Sequence, residues 1–278
     1  MDKMEIGMIA DFKHGIEAAA EKVQNLGLKN IQYLYWDGDD ISEKAVENMK
    51  KVFGDAGIPI TAVFATYVGM DYSTLRKAEE TGGLVPKQWR KERLDLTKKL
   101  ADVAAGVGAT AAACHYGAIP DDRDDPDYPD LISTTQDLMD HCEGLGLTFN
   151  LETGEDSTET LLNFLSDVGR PNLRINFDPA NMILYGKSEP IKALRQVGTH
   201  VASCHVKDAT WSDDPGVEWG REVPLGTGEV GIEDFIKTLN DFGYSGPLTI
   251  EREVEGEEQI RDLKAAVDLL ENIKAKLS

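Results

Sequence analysis

Cationic residues are scarce in this 278-residue chain: 29 Lys and Arg stand against 50 Asp and Glu, a formal net charge of −21 at pH 7. Nucleic-acid and anionic-membrane surfaces need clustered Lys and Arg to neutralise phosphates, so the shortage argues against both partners and leaves small ligands. Cysteine is scarcer still. Cys114, Cys142 and Cys204 are odd in number, sit within apolar segments and show no paired spacing. That argues against a disulfide framework or a zinc ribbon and fits a reducing, cytoplasmic setting. No apolar run reaches about 18 residues, the length at which a membrane-spanning helix becomes a candidate. The start Met1-Asp2-Lys3-Met4-Glu5-Ile6 lacks the basic stretch and long apolar core of an export signal. A glycine-rich phosphate loop is missing too: the first strand runs into Ala10-Asp11-Phe12-Lys13-His14-Gly15, which counts against a doubly wound dinucleotide-binding sheet.

What is present is a regular alternation. With 41% apolar residues the chain is the size of one α/β barrel, and a single domain over residues 1–278 is expected. Apolar runs predict strands at 5–10, 30–36, 60–67, 110–115, 147–152, 173–178, 201–207 and 248–252. Between them, helical spacing and caps predict helices over 15–26, from Ser42 to Gly57, 87–107, from Leu131 onward, 157–168, 232–242 and 257–277. The acidic, proline-broken stretch Asp121 to Pro129 reads as loop. Eight strands alternating with helices, the strands reading as continuous apolar runs, predict a (β/α)8 TIM barrel. Two long connections, one through Gly69, Gly82 and Gly83 and one from Asp208 to Val230, are candidate lids.

Four predicted strands end in polar groups: Glu152, Asp178, His205 and Glu251. In a barrel the C-terminal strand ends share one mouth, and residues two apart share a face. Asn150 with Glu152, Asn176 with Asp178, His205 with Lys207, and Thr249 with Glu251 and Glu253 therefore place polar groups where a core strand should be apolar. Three carboxylates and an imidazole brought together are costly unless they share a partner, and a divalent cation supplies one. Hard oxygens with one nitrogen favour Mn2+, with Mg2+, Co2+ and Zn2+ as alternatives.

These motifs, Leu-Glu-Thr-Gly, Phe-Asp-Pro-Ala-Asn, His-Val-Lys-Asp and Ile-Glu-Arg-Glu, resemble those of the sugar phosphate isomerase/epimerase family, the xylose isomerase-like TIM barrels, over essentially the whole chain. The resemblance implies that Glu152 and Glu251 ligate the metal and also act as the acid/base pair, moving a proton beside a carbonyl through a metal-bound enediolate. It implies a sugar isomerase or epimerase acting on a ketose or keto-sugar derivative. A dehydratase of the inosose kind and a non-catalytic sugar-binding barrel are the alternatives. Ketose 3-epimerases carry a histidine three residues after the metal aspartate and an arginine six after the metal histidine, where this chain has Asn181 and Trp211, so its substrate must be oriented differently. The abasic-site endonuclease branch needs more histidines than the five present. Candidate substrate contacts are His115, Asn181, Lys207, Trp36 and Arg221, with Trp211 and Trp219 as further stacking surfaces. Glu155 is assigned to favouring a helix N-terminus. The scattered cations favour an unphosphorylated sugar, and a homo-oligomer is left open.

Overall fold

The computed structural model describes residues 4–277. Met1 to Lys3, on which the export-signal reading partly rests, and Ser278, where the one-domain reading ends, lie outside the described residues. Strands β1 (Ile6–Ala10), β2 (Asn30–Leu34), β3 (Ile60–Ala65), β4 (Ala111–His115), β5 (Thr148–Glu152), β6 (Leu173–Phe177), β7 (Val201–Val206) and β10 (Leu248–Ile250) close into a parallel barrel, ordered β1-β10-β7-β6-β5-β4-β3-β2. The short strands β8 (Asp208–Thr210) and β9 (Arg221–Val223) pair antiparallel as a hairpin in the connection after β7. The TIM barrel expected from the sequence is the fold observed.

Helices α1 (Ile16–Asn25), α2 (Glu43–Asp55), α4 (Lys87–Val107), α6 (Thr158–Val168), α9 (Ile232–Asp241) and α10 (Gly256–Leu277) lie where periodicity places them. Their ends follow local chemistry. The Ser42 hydroxyl accepts from the Ala45 N–H, the Ser157 hydroxyl accepts from the Thr160 N–H, and Gly108 and Gly169 close α4 and α6 in the left-handed conformation. Helix α5 (Tyr128–Gly144) starts earlier than expected, inside the stretch read as loop. Pro129 falls in its first turn, where the missing N–H breaks no helical bond. Three further helices, none of them placed by periodicity, bring the number among the described residues to ten: α3 (Leu75–Thr81), α7 (Pro179–Leu184) and α8 (Pro190–Val197).

Both long connections are anchored. The buried Arg93 guanidinium on α4 donates to the carbonyls of Thr81 (2.7 Å), Gly83 (2.6 Å) and Val68 (3.0 Å), and lies over the rings of Tyr67 and Trp89. The Asp208 carboxylate accepts from the N–H groups of Ala209 (3.0 Å), Gly226 (2.9 Å), Gly228 (2.9 Å) and Val230 (3.2 Å), which fastens the second connection beside the barrel mouth.

Candidate metal and substrate site

Glu152 ends β5, Asp178 follows β6, His205 lies in β7 and Glu251 follows β10, and one ligand atom from each falls within 4.8 Å of all the others. His205 Nδ1 is 2.6 Å from Glu152 Oε1, 3.0 Å from Glu251 Oε2 and 3.8 Å from Asp178 Oδ2. On its far side Nε2 stands 2.9 Å from Gln32 Oε1, and the Gln32 amide donates to the Thr249 hydroxyl at 3.2 Å. That amide carbonyl accepts from Nε2–H, so a neutral His205 would turn a lone pair at Nδ1 toward three carboxylates. A proton or a cation must sit there. Asp178 divides its two oxygens between tasks: Oδ1 accepts from the N–H groups of Ala180 (2.8 Å) and Asn181 (3.1 Å), capping α7, while the buried Oδ2 has no hydrogen-bond partner. Glu251 Oε2 is also buried without a directed hydrogen bond, with Lys207 Nζ at 3.5 Å. Two orphaned carboxylate oxygens converging on an imidazole nitrogen fit a divalent cation.

The charges are interlocked. Burial would raise the Glu152 carboxyl, but the imidazoles of His115 and His205 outweigh it and hold it down at about 2. Burial would lower His115, whose Nε2 lies 2.7 Å from Glu152 Oε2, yet that carboxylate, with Glu155 and Glu251, raises it to about 9. Glu251 is held below the usual carboxylate range by Lys207 and His205 against its burial. For Asp178 burial wins: it is pushed up to about 7, with Lys207 opposing and Glu251 and Glu152 adding to the rise.

The profile of the xylose isomerase-like TIM barrel family matches residues 20–273. This chain belongs to that family. A xylose isomerase domain protein of Planctomyces limnophilus shares 40% identity at a TM-score of 0.94, covering 99% of this chain and 98% of that one. D-psicose 3-epimerase of Clostridium cellulolyticum H10, solved with D-tagatose, shares the fold at 16% identity and a TM-score of 0.70, covering 97% and 99% of the two chains. An uncharacterised protein of Methanocaldococcus jannaschii, MJ1311, is 24% identical over 147 residues, which are 50% of this chain and 46% of that protein. The chain thus spans less than half the length of the curated relatives it matches.

In this xylose isomerase-like barrel a cavity of about 1290 Å³ opens above the cluster, with Glu152 and Glu251 on its wall. His115 and Asn181 line it, and the Asn181 Nδ2 group is buried without a partner. Trp36 stands on its outer wall with the Lys13 ammonium 4.8 Å from its ring centre. Lys207 is brought beside Glu251 and pairs with Glu253, but it is buried behind them and is not on the wall. Arg221 is exposed on β9 and also off the wall, whereas Glu222 is on it, because successive strand residues point to opposite faces. Of the connection after β7, Trp219, Gly220 and Glu222 face the cavity and Trp211 does not.

Several residues escaped sequence reasoning. Gln32, which fixes the His205 ring, shares its strand face with Asn30, and that pair of buried polar residues in β2 was a readable signal. Ser203 joins Asn150 to Asn176 beneath the cluster, accepting from the first at 2.9 Å and donating to the second at 2.6 Å. Tyr72 and Tyr185 complete an aromatic wall with Trp219, the Tyr185 ring lying edge-on to Trp219 with centres 4.7 Å apart. Their placement depends on how the connections fold back, which no local pattern announces. Glu155 caps nothing: Ser157 caps α6, and Glu155 is buried with Oε1 unpartnered.

Proposed function

We propose that this protein, as one domain over residues 1–278, is a divalent-metal-dependent sugar isomerase or epimerase acting on a ketose or keto-sugar derivative. The observation that carries the reading is the convergence of Glu152, Asp178, His205 and Glu251 with orphaned oxygens on Asp178 and Glu251, beneath an open cavity. The sugar-epimerase fold of the structural neighbours supports it. Mn2+ is the favoured cation; when bound it supplies a Lewis acid that acidifies the C–H beside a carbonyl. Glu152 and Glu251 are the two ligands on the cavity wall, and each has a cationic partner outside the cluster, His115 for the first and Lys207 for the second. Those partners hold both carboxylates ionised and in position. One removes the proton from the sugar carbon and the other returns it, inverting that centre or completing a carbonyl migration. Asn181 Nδ2, an unsatisfied buried donor, is placed to orient a sugar oxygen.

The test is solvent-deuterium incorporation, followed by NMR, with Mn2+-loaded protein and a panel of ketoses and keto-sugars. Glu251→Gln is expected to keep its cation, read by elemental analysis, while exchange falls by roughly 100-fold or more, since an amide oxygen can ligate but cannot act as a base. Exchange at a near wild-type rate in that variant would refute the two-carboxylate assignment. Loss of water from the labelled sugar would move the protein to the lyase reading.

A further inference from the structure

The cavity is larger than one sugar ring needs. At about 1290 Å³ it exceeds the roughly 300–1,000 Å³ typical of pockets for drug-sized ligands. Its walls fall into two groups. Close to the cluster stand His115, Tyr72, with ring centres 6.1 Å apart, and Trp219 and Asn181. A second group on the same wall, here the outer lobe, is tied together by its own contacts: Lys13 lies over the ring of Trp36, just past β2, and 3.6 Å from Glu255, while Lys22 donates to Gln259 beside Ile260 on α10. Exposed apolar surface gathers on this cavity: Trp36 (40%), Tyr72 (42%) and Ile260 (40%) are three of the seven large apolar side chains left exposed among the described residues. A tryptophan held at a cavity wall offers a sugar ring a flat apolar face, and Trp36 keeps 40% of its surface exposed even with the Lys13 ammonium 4.8 Å from its ring centre.

The charges of the outer lobe decide what it accepts. Lys13 Nζ is already 3.4 Å from Asp11 and 3.6 Å from Glu255, and Lys22 Nζ donates to the Gln259 side chain with Asp11 and Glu255 nearby. Its cations are answered by acids of the same lobe, and on the neighbouring wall Arg252 is likewise paired with Glu222, and Glu253 with Lys207 behind it, so no lysine or arginine of the wall among the described residues is left over for an anion. A phosphate entering here would have to displace carboxylates; a neutral ring with hydroxyls would meet both donors and acceptors.

We propose that this lobe is a second sugar subsite that takes an uncharged glycosyl ring stacked on Trp36, so that the substrate is a glycosylated keto-sugar rather than a free ketose or a sugar phosphate. The inference rests on the proton-transfer reading of the metal cluster. Mn2+-loaded protein is titrated calorimetrically with D-fructose, its disaccharides lactulose and isomaltulose, and D-fructose 6-phosphate, with deuterium exchange followed for all four. At least one disaccharide is expected to bind tenfold or more tightly than D-fructose, and Trp36→Ala is expected to weaken that disaccharide at least fivefold more than it weakens D-fructose. Disaccharides no tighter than D-fructose, a preference for the 6-phosphate, or an advantage that survives Trp36→Ala overturns the subsite; if D-fructose still exchanges deuterium, the metal-site reading stands. Absence of exchange in all four sugars overturns both.

Discussion

Glu155 sits where a carboxylate should not. It is 6% exposed, its Oε1 has no hydrogen-bond partner, and it lies beneath the backbone of Gly82, close enough that a Cβ there would meet it at 2.9 Å. Burial, aided by Glu79 and Glu152 and opposed by His115 and Lys187, raises its carboxyl from 4.5 to about 7. The sign of the linkage follows from that direction. Below 4.5 the group is protonated in both folded and unfolded chains and contributes nothing. As pH rises through 4.5 the unfolded chain releases its proton first, and the fold loses stability until the native group also ionises near 7. Each pH unit over which only the unfolded chain is ionised costs ~1.4 kcal/mol, so the loss is about 1.4 kcal/mol at pH 5.5 and about 3.4 kcal/mol at pH 8.5. Glu155→Gln keeps the shape and removes the charge, so the variant should gain roughly those amounts. In a chain of 278 residues the larger gain corresponds to about 6 °C in Tm, at an unfolding entropy of ~2.1 cal/mol/K per residue. Urea unfolding of variant and parent in matched buffers at the two pH values reads the difference directly. An equal gain at both, or a loss at pH 8.5, would show that Glu155 is ionised and satisfied in the native protein and would refute the reasoning.

The anchors of the two connections give further expectations. Gly83 has φ +57°, and a Cβ there would fall 2.0 Å from the Tyr116 carbonyl carbon and oxygen, so Gly83→Ala should cost about 3 kcal/mol in urea unfolding; a loss below about 1 kcal/mol would mean that the connection shifts freely away from β4. Asp208→Asn puts an amide N–H group against N–H donors that a carboxylate now satisfies, and should cost about 3 kcal/mol. It should also raise hydrogen exchange at Gly226, Gly228 and Val230, whereas unchanged protection at those amides would show that the loop holds itself without the carboxylate.

The barrel and the ligand set were legible because each is written locally. A parallel strand is an apolar run, and its functional end is the point where the run breaks into a polar residue of the right parity, as Leu151-Glu152 and Phe177-Asp178 do. The helices that escaped are short. Helix α7 has six residues and begins at Asp178-Pro179, a cap followed by proline; both signals were present, but the aspartate had already been explained as a ligand. Helix α8 repeats the device with Glu189-Pro190, its carboxylate accepting from Ile191 and Lys192. Helix α3 is announced only by Thr74, which accepts from Lys77. The three-residue strands β8 and β9 carry no period that could be read, so whether Arg221 or Glu222 faced the cavity was undetermined until the hairpin's orientation was known.

This division between what is local and what is tertiary coincides with a division of labour. The cluster rests on strand ends, whose positions the barrel closure dictates, and on Gln32, Thr249 and Ser203 beneath it. The cavity walls that would contact the rest of a sugar, Tyr72, Tyr185 and Trp219, belong to the connections, Tyr185 as the residue that closes α7. Tyr72 in particular is placed through Arg93. That guanidinium is 3% exposed and spends its hydrogen bonds on carbonyls drawn from residues 68, 81 and 83, so one residue on α4 gathers both ends of the segment that carries the tyrosine. A lysine has a single ammonium and no planar fork with which to reach those carbonyls while lying over Tyr67 and Trp89. The connection can therefore change its sequence and its wall residues without disturbing the ligand geometry, provided that the Arg93 fork and the close approach at Gly83 persist. Conversely, altering Arg93 should move the tyrosine wall while leaving Glu152, Asp178, His205 and Glu251 where the strands put them.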